Sequence, residues 1–234
     1  MASIEALAAV PAPALECPHW CQPLRRRRGW RCQLSPRERR LKRALDLGLC
    51  LLLSVPALLL VGLAAAAVRC DSAGPALFGQ WRLGAHGRRF RIWKMRSMVV
   101  NADTMKPALG HLNELPFPYF KITRDPRITR VGSFLRRTSM DELPQIWNIW
   151  RGEMSWVGPR PTDFGLDHYQ LWQTERLTTP PGITGLWQIV ARAQSGFEQG
   201  LRLDLAYFRG WCLWLDLRIL AATVRVVLSG RGAK

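Results

Sequence analysis

Acidic residues are scarce in this chain: 17 Asp and Glu stand against 34 Lys and Arg, giving a formal net charge of +17 and an isoelectric point near 11.0. Such a surface is drawn to polyanions, whether nucleic acid, anionic lipid headgroups or phosphorylated small molecules, and charge alone does not choose among them. A disulfide framework is missing too. The six cysteines (Cys17, Cys21, Cys32, Cys50, Cys70 and Cys212) are irregularly spaced and Cys50 lies inside an apolar run, which points to a reducing compartment. Cys17, His19, Cys21 and Cys32 could gather a zinc ion, but the C-x-H-x-C spacing is cramped and matches no common structural site. There is no internal repeat. At 234 residues the chain is long enough for one catalytic-sized body and too short for two full domains with a linker.

What is there is segregated. Residues 1–21 are rich in Ala and Pro and read as a poorly ordered tail. Arg25 to Arg28, Arg31, Arg37, Arg39, Arg40, Lys42 and Arg43 then form a basic stretch directly before a run, 44–68, that is almost wholly apolar. A nucleic-acid arm would explain the charge, but a position beside a hydrophobic segment favours an anionic membrane surface. The run lies too deep in the chain for a signal peptide and ends without a convincing cleavage site. From Leu47 to Val68 there are 22 residues without a charge, enough to cross a bilayer, which takes about 20. Pro56 sits in the middle, Asp46 lies just inside the run, and Arg69, Arg82, Arg88, Arg89, Arg91, Lys94 and Arg96 make the far flank basic as well. Basic flanks on both sides favour both ends in the cytoplasm, so the run reads as a broken, re-entrant helical hairpin interrupted near Pro56 in preference to a single span. Asp46 is expected near the interface or paired with Arg43.

Past Asp71 the pattern is that of a mixed body. Phe90 to Trp93 reads as a short strand, Gly84 to Gly87 as a hairpin turn, 139–151 as a helix and 201–229 as amphipathic helices. Tyr207, Trp211 and Trp214 suit either a membrane interface or the core. The predicted class is α+β, mostly helical, with a basic extension over 1–41, the membrane helix over 42–70 and a membrane-associated catalytic body over 71–234.

Three segments carry chemistry. In Arg136-Arg137-Thr138-Ser139-Met140-Asp141-Glu142-Leu143-Pro144, Ser139 and Glu142 have the form of a capping box, which would place Asp141 and Glu142 at a helix N-terminus. There the macrodipole favours ionised carboxylates, suited to a nucleophile, to a ligand for Mg²⁺, or simply to capping. Gly158-Pro159-Arg160-Pro161 holds an arginine between two prolines, aimed for bidentate phosphate contact. Pro180-Pro181-Gly182-Ile183-Thr184-Gly185-Leu186-Trp187-Gln188 is a second stiff turn, with Arg192 soon after it as a candidate for the nucleotide side. Lys94 and Arg96 are assigned only to pairing with acids or lipid.

Together with Lys42-Arg43-Ala44-Leu45-Asp46, Asp71-Ser72-Ala73-Gly74-Pro75, Trp93-Lys94-Met95-Arg96-Ser97-Met98 and Asp125-Pro126-Arg127-Ile128-Thr129-Arg130-Val131-Gly132, these segments resemble the bacterial sugar transferases, the monotopic phosphoglycosyl transferases that act on polyprenyl phosphates. The resemblance runs from about Lys42 to Leu220 and is to the minimal catalytic form. It implies transfer of a sugar 1-phosphate from a UDP-sugar to undecaprenyl phosphate with release of UMP, the initiating step of exopolysaccharide, capsule, O-antigen or glycoconjugate synthesis. It implies Mg²⁺, a re-entrant membrane helix and a catalytic domain on the cytoplasmic face of the inner membrane. It also implies Asp141 as nucleophile, Glu142 as its partner, and Arg136 and Arg160 as phosphate ligands. The chain departs from the family pattern at Gly79 and Trp81, where Arg and Glu are frequent, at Ala191, and in the spacing of Ser54 from Pro56. No motif specifies the sugar. A membrane-anchored scaffold without activity, which would explain the run and the interfacial aromatics, and a nucleic-acid-binding protein, which leaves the run and the acidic pair without purpose, are the competing classes.

Overall fold

The computed structural model describes residues 34–114, 120, 122–162, 169–190 and 197–228. The basic residues 25–31, the Cys17-His19-Cys21-Cys32 group and Arg192 lie outside them.

Helix α1 (Pro36–Asp71) opens with a capping box: the Ser35 side chain accepts from the Glu38 N–H while Glu38 reaches back to the Ser35 backbone, and Pro36 takes the first turn, where its missing N–H does least harm. The helix therefore starts six residues before the predicted membrane segment. Its 36 residues pass through Pro56 as one helical run, so the predicted break at Ser54 and Pro56 does not divide it. A proline withdraws a single N–H, here from the carbonyl of Leu52. Locally, the Ser54 hydroxyl donates to the Cys50 carbonyl (2.5 Å) and accepts from Trp150 Nε1 (3.0 Å).

Lys42, Asp46, Cys50, Ala57, Ala64 and Val68 form a buried stripe along α1, while Leu52, Val55, Leu58 and Leu63 on its other faces are 70–76% exposed. The helix is long and apolar enough to cross a membrane by length and composition. Asp46 is paired differently from expectation: its Oδ1 accepts from Ser155 Oγ (2.9 Å) and Trp156 N (3.0 Å), whereas Arg43 donates to the carbonyls of Ile149 and Trp150. At the other end Asp71 accepts from Val131 N (3.1 Å). Both ends of α1 are thus fastened to one body.

Strands β1 (Leu77–Leu83) and β2 (Arg89–Met95) form an antiparallel hairpin around the Gly84–Arg88 turn, as the glycines indicate. On β2, Phe90, Ile92 and Lys94 share a face by alternation; Phe90 and Ile92 pack with Cys50, Ile146, Ile149 and Met154 beneath α1. Gly79 leaves room for the Arg91 guanidinium, which stacks 4.6 Å from the Trp93 ring centroid. Short helices α2 (Ala102–Met105), α3 (Arg130–Thr138) and α4 (Ile146–Trp150) follow. Strand β3 (Ser155–Val157) pairs in parallel with β4 (Gly182–Thr184), which leads into α5 (Leu186–Val190). The last two helices are α6 (Phe197–Arg209) and α7 (Leu213–Leu228).

These helices enclose a core of Val157, Leu186, Leu203, Tyr207, Phe208, Trp211, Leu215 and Ile219. Tyr207 and Trp211 are therefore core residues, and of the three aromatics only Trp214, 60% exposed, faces outward. Buried among them, Lys42 Nζ donates to Asp216 Oδ2 (2.7 Å), Tyr207 OH (3.1 Å) and the Val157 carbonyl (2.8 Å), tying the start of α1 to α7 and β3. The fold is mostly helical with short strands.

Candidate active site

The site is assembled where three elements meet. Thr129 caps α3 by accepting from Gly132 N (3.0 Å). Gly132 lies so close to Ser97 that a Cβ there would sit 2.0 Å from its carbonyl oxygen, and this approach brings Arg136, one turn further along, within reach of Ser97 Oγ (2.8 Å from Nε). The terminal nitrogens of Arg136 make no hydrogen bond among the described residues. Helix α3 ends at Ser139, which has left-handed backbone (φ 57°) and makes no side-chain cap bond. The predicted capping box is therefore not formed: Ser139 terminates one helix, and a six-residue 3-10 segment (Met140–Gln145) carries Asp141 and Glu142.

This changes the electrostatics. So short a segment supplies little macrodipole, and burial instead pushes the Asp141 carboxyl above the usual carboxylate range. Glu142 raises it further, and Lys94, Arg136 and Arg160 oppose the shift. Asp141 takes no hydrogen bond among the described residues. Glu142 Oε1 lies 3.1 Å from Lys94 Nζ and 3.5 Å from Arg160 Nη2. Burial depresses the Arg136 guanidinium, with Asp141 and Asp125 opposing, though it stays protonated in any accessible range. Asp141, Glu142, Arg136 and Arg160 are thus brought together.

Lys94 joins them: the expected pairing with an acid is made, and the acid is Glu142. Its place follows from β2: buried Asn148 accepts from Trp93 N (3.2 Å) and donates to the Arg91 carbonyl (2.8 Å), fixing the strand beside the 3-10 segment. Arg96 is elsewhere, donating to the carbonyls of Ser72 (2.6 Å) and Ala73.

Arg160 is held by backbone interlock. Gly158 N donates to the Thr184 carbonyl (2.9 Å), Gly182 N to the Pro159 carbonyl (2.9 Å) and Ser155 N to the Pro181 carbonyl (2.8 Å). The two loops meet at their glycines: a Cβ on Gly185 would stand 2.3 Å from the Gly158 carbonyl oxygen, and one on Gly182 would stand 2.1 Å from the Gly158 nitrogen. The glycines of the two proline-bearing loops are therefore required by contact with each other.

No group of three or more His, Cys, Asp or Glu that could hold a metal occurs among the described residues. The adjacent carboxylates of Asp141 and Glu142 still suit Mg²⁺, which uses one or two carboxylates together with substrate phosphates and water. A cavity of about 140 Å³ lies elsewhere, lined by Leu34, Arg39, Lys42, His86 and Phe208 among others, and none of the five site residues borders it.

A half-buried carboxylate among three cations lies on a 3-10 segment that packs against a helix long and apolar enough to cross a membrane. The family model for bacterial sugar transferases matches residues 37–230, and the chain belongs to that family. It is 47% identical over 163 residues to the galactosyl transferase CpsE of Streptococcus agalactiae, covering 69% of this chain and 36% of that protein. It is 42% identical over 165 residues to the undecaprenyl-phosphate galactose phosphotransferase of Salmonella typhimurium, covering 68% and 35%. With the exopolysaccharide production protein ExoY of Rhizobium meliloti it shares 36% identity over 200 residues, covering 82% and 87%. The chain thus spans about a third of the length of the first two relatives and most of the third.

Proposed function

We propose that this chain transfers a hexose 1-phosphate from a UDP-sugar to undecaprenyl phosphate, releasing UMP, at the cytoplasmic face of a bacterial inner membrane, as the first step in building an exopolysaccharide, capsule or related glycan. The observation that carries this reading is the Asp141 carboxylate, unbonded among the described residues and surrounded by Lys94, Arg136 and Arg160. An anion attacking a diphosphate is repelled unless nearby cations offset the charge. Asp141 attacks the β-phosphorus, and the bond to the bridging oxygen breaks with its electron pair leaving on UMP. A phosphate oxygen of the lipid then attacks the same phosphorus and frees the carboxylate. Glu142 holds Lys94 and Arg160 near each other, and Arg136 presents its terminal nitrogens to the phosphoryl oxygens. Mg²⁺ bound at Asp141 and Glu142 would supply further neutralisation of the diphosphate. Arg192 remains the candidate for the nucleotide.

The full chain in bilayer nanodiscs with undecaprenyl phosphate should release UMP from UDP-galactose or UDP-glucose, the sugars suggested by relatives named as galactose and glucose phosphotransferases. Absence of UMP across a panel of UDP-hexoses and their N-acetyl forms would leave only an inactive anchor.

The fastenings of α1 support a re-entrant topology. Asp46 is bonded to Ser155 and Trp156 at one end and Asp71 to Val131 at the other, all on one body. A helix crossing the bilayer would put those partners on opposite sides of about 30 Å of hydrocarbon. A path in which α1 lays its leucine face into one leaflet without crossing keeps both ends in the cytoplasm. In a background without the native cysteines, Arg40→Cys and Arg88→Cys should both resist an impermeant thiol reagent on intact cells and both react after permeabilisation. Labelling of just one from outside would establish a true span.

A further inference from the structure

We infer that Arg176, with Asp204 and Tyr169, is the positioning group that fixes Arg160 for phosphate contact, an inference that rests on the reading of Arg160 as a phosphate ligand.

Arg176 lies in the 3-10 segment Leu171–Thr178, and its side chain is 2% exposed. Its Nη2 donates both to the Arg160 carbonyl (2.6 Å) and to Asp204 Oδ2 (2.6 Å) on α6. Its Nη1 donates to Tyr169 OH (3.1 Å), and that hydroxyl is hydrogen-bonded to Thr162 Oγ1. The network therefore grips Arg160-Pro161-Thr162 at both ends, by the first carbonyl and the last hydroxyl. Pro161 stiffens the middle and Pro159 the approach, so little backbone freedom is left beneath the Arg160 side chain.

The pair is ill-suited to a purely stabilising role. Asp204 is 1% exposed and lies 2.6 Å from Arg176; burial raises its carboxyl to about 6, with Arg176 and then Arg160 opposing. Among the described residues, Arg176 Nε is buried without a hydrogen-bond partner. Burying two charges and orphaning a donor is a poor way to gain stability, because an apolar pair of similar volume does as well or better. What an apolar pair cannot do is donate simultaneously to a carboxylate, a tyrosine hydroxyl and the carbonyl of a phosphate-binding residue. One position earlier, Glu175 accepts from Arg209 Nε (3.0 Å), so the same two elements share a second ion pair, made by residues other than those that hold the Arg160 carbonyl. That contact is the internal control.

A double-mutant cycle tests the assignment on the full chain in nanodiscs, with kcat and KM read from UMP release. Arg160→Ala alone should lower kcat/KM by on the order of 100-fold. Arg176→Lys, which keeps the charge but cannot reach three acceptors, should cost about 30- to 100-fold alone, yet less than about 3-fold in the Arg160→Ala background. Tyr169→Phe, a gentler change chosen in case Arg176→Lys does not fold, should cost about 5-fold alone and show the same loss of effect behind Arg160→Ala. Arg209→Gln should stay within about 3-fold of wild type. If Arg176→Lys or Tyr169→Phe costs the same factor in both backgrounds, or if Arg209→Gln is as damaging as Arg176→Lys, the network serves the fold and not Arg160, and the assignment is overturned. If Arg160→Ala is itself near normal, the phosphate role of Arg160 fails first, and the assignment with it.

Discussion

Asp141→Asn is expected to lower turnover by about 10⁴-fold or more, the scale seen when a covalent nucleophile is removed. The same substitution should make the protein more stable at neutral pH. Burial holds the Asp141 carboxyl above its ordinary value, so its ionised form is disfavoured in the folded chain relative to the unfolded one. The stability linked to its proton is fully present below the unfolded value, about pH 4, and is lost as pH rises through the raised folded value. Asparagine stays neutral throughout, so the melting temperature of Asp141→Asn should exceed that of the parent at pH 7 to 8, with the two converging toward pH 4. A variant that loses activity and stability together would point to misfolding.

Arg160→Lys should lower kcat/KM by on the order of 100-fold although the charge is unchanged. The guanidinium sits on a loop locked to its neighbour by Gly158, Gly182 and Gly185 and bracketed by Pro159 and Pro161. Such a loop directs a planar fork, and a lysine on the same backbone offers a single flexible point charge. Titrating inorganic pyrophosphate as a competitor gives a second readout: its inhibition constant should rise in Arg160→Lys together with the loss in kcat/KM. Near-normal turnover with unchanged pyrophosphate inhibition would remove Arg160 from the site.

The elements with local signals were legible in the sequence. The glycines at 84 and 87 announced the hairpin, the apolar run announced α1, and the two proline-bearing loops were identified before their interlock was visible. Ser139 misled, because Ser-x-x-Glu is written the same way whether it starts a helix or, as here, follows one that ends in a left-handed residue. The backbone angle and not the residue type decides, and with it went the macrodipole argument for Asp141. Lys94 was expected to pair with acids or lipid and does pair with Glu142, but its place in the site depends on β2 lying beside the 3-10 segment, which no local pattern announces. Arg176 and Asp204 were unreachable: residues 28 apart, each ordinary in its own segment, become partners only when α6 docks. The aromatics at 207 and 211 fit core and interface equally by pattern, and contact with Lys42 and Asp216 decided for the core.

The central claim is that a sugar phosphate passes through Asp141. Purified chain incubated with UDP-galactose or UDP-glucose and Mg²⁺, without lipid acceptor, should gain the mass of one hexose phosphate, mapped to a peptide containing Asp141, and should exchange labelled UMP into the UDP-sugar. Enzyme that turns over fully with undecaprenyl phosphate, yet shows neither adduct nor exchange in its absence, would contradict the account and establish direct transfer in a single step.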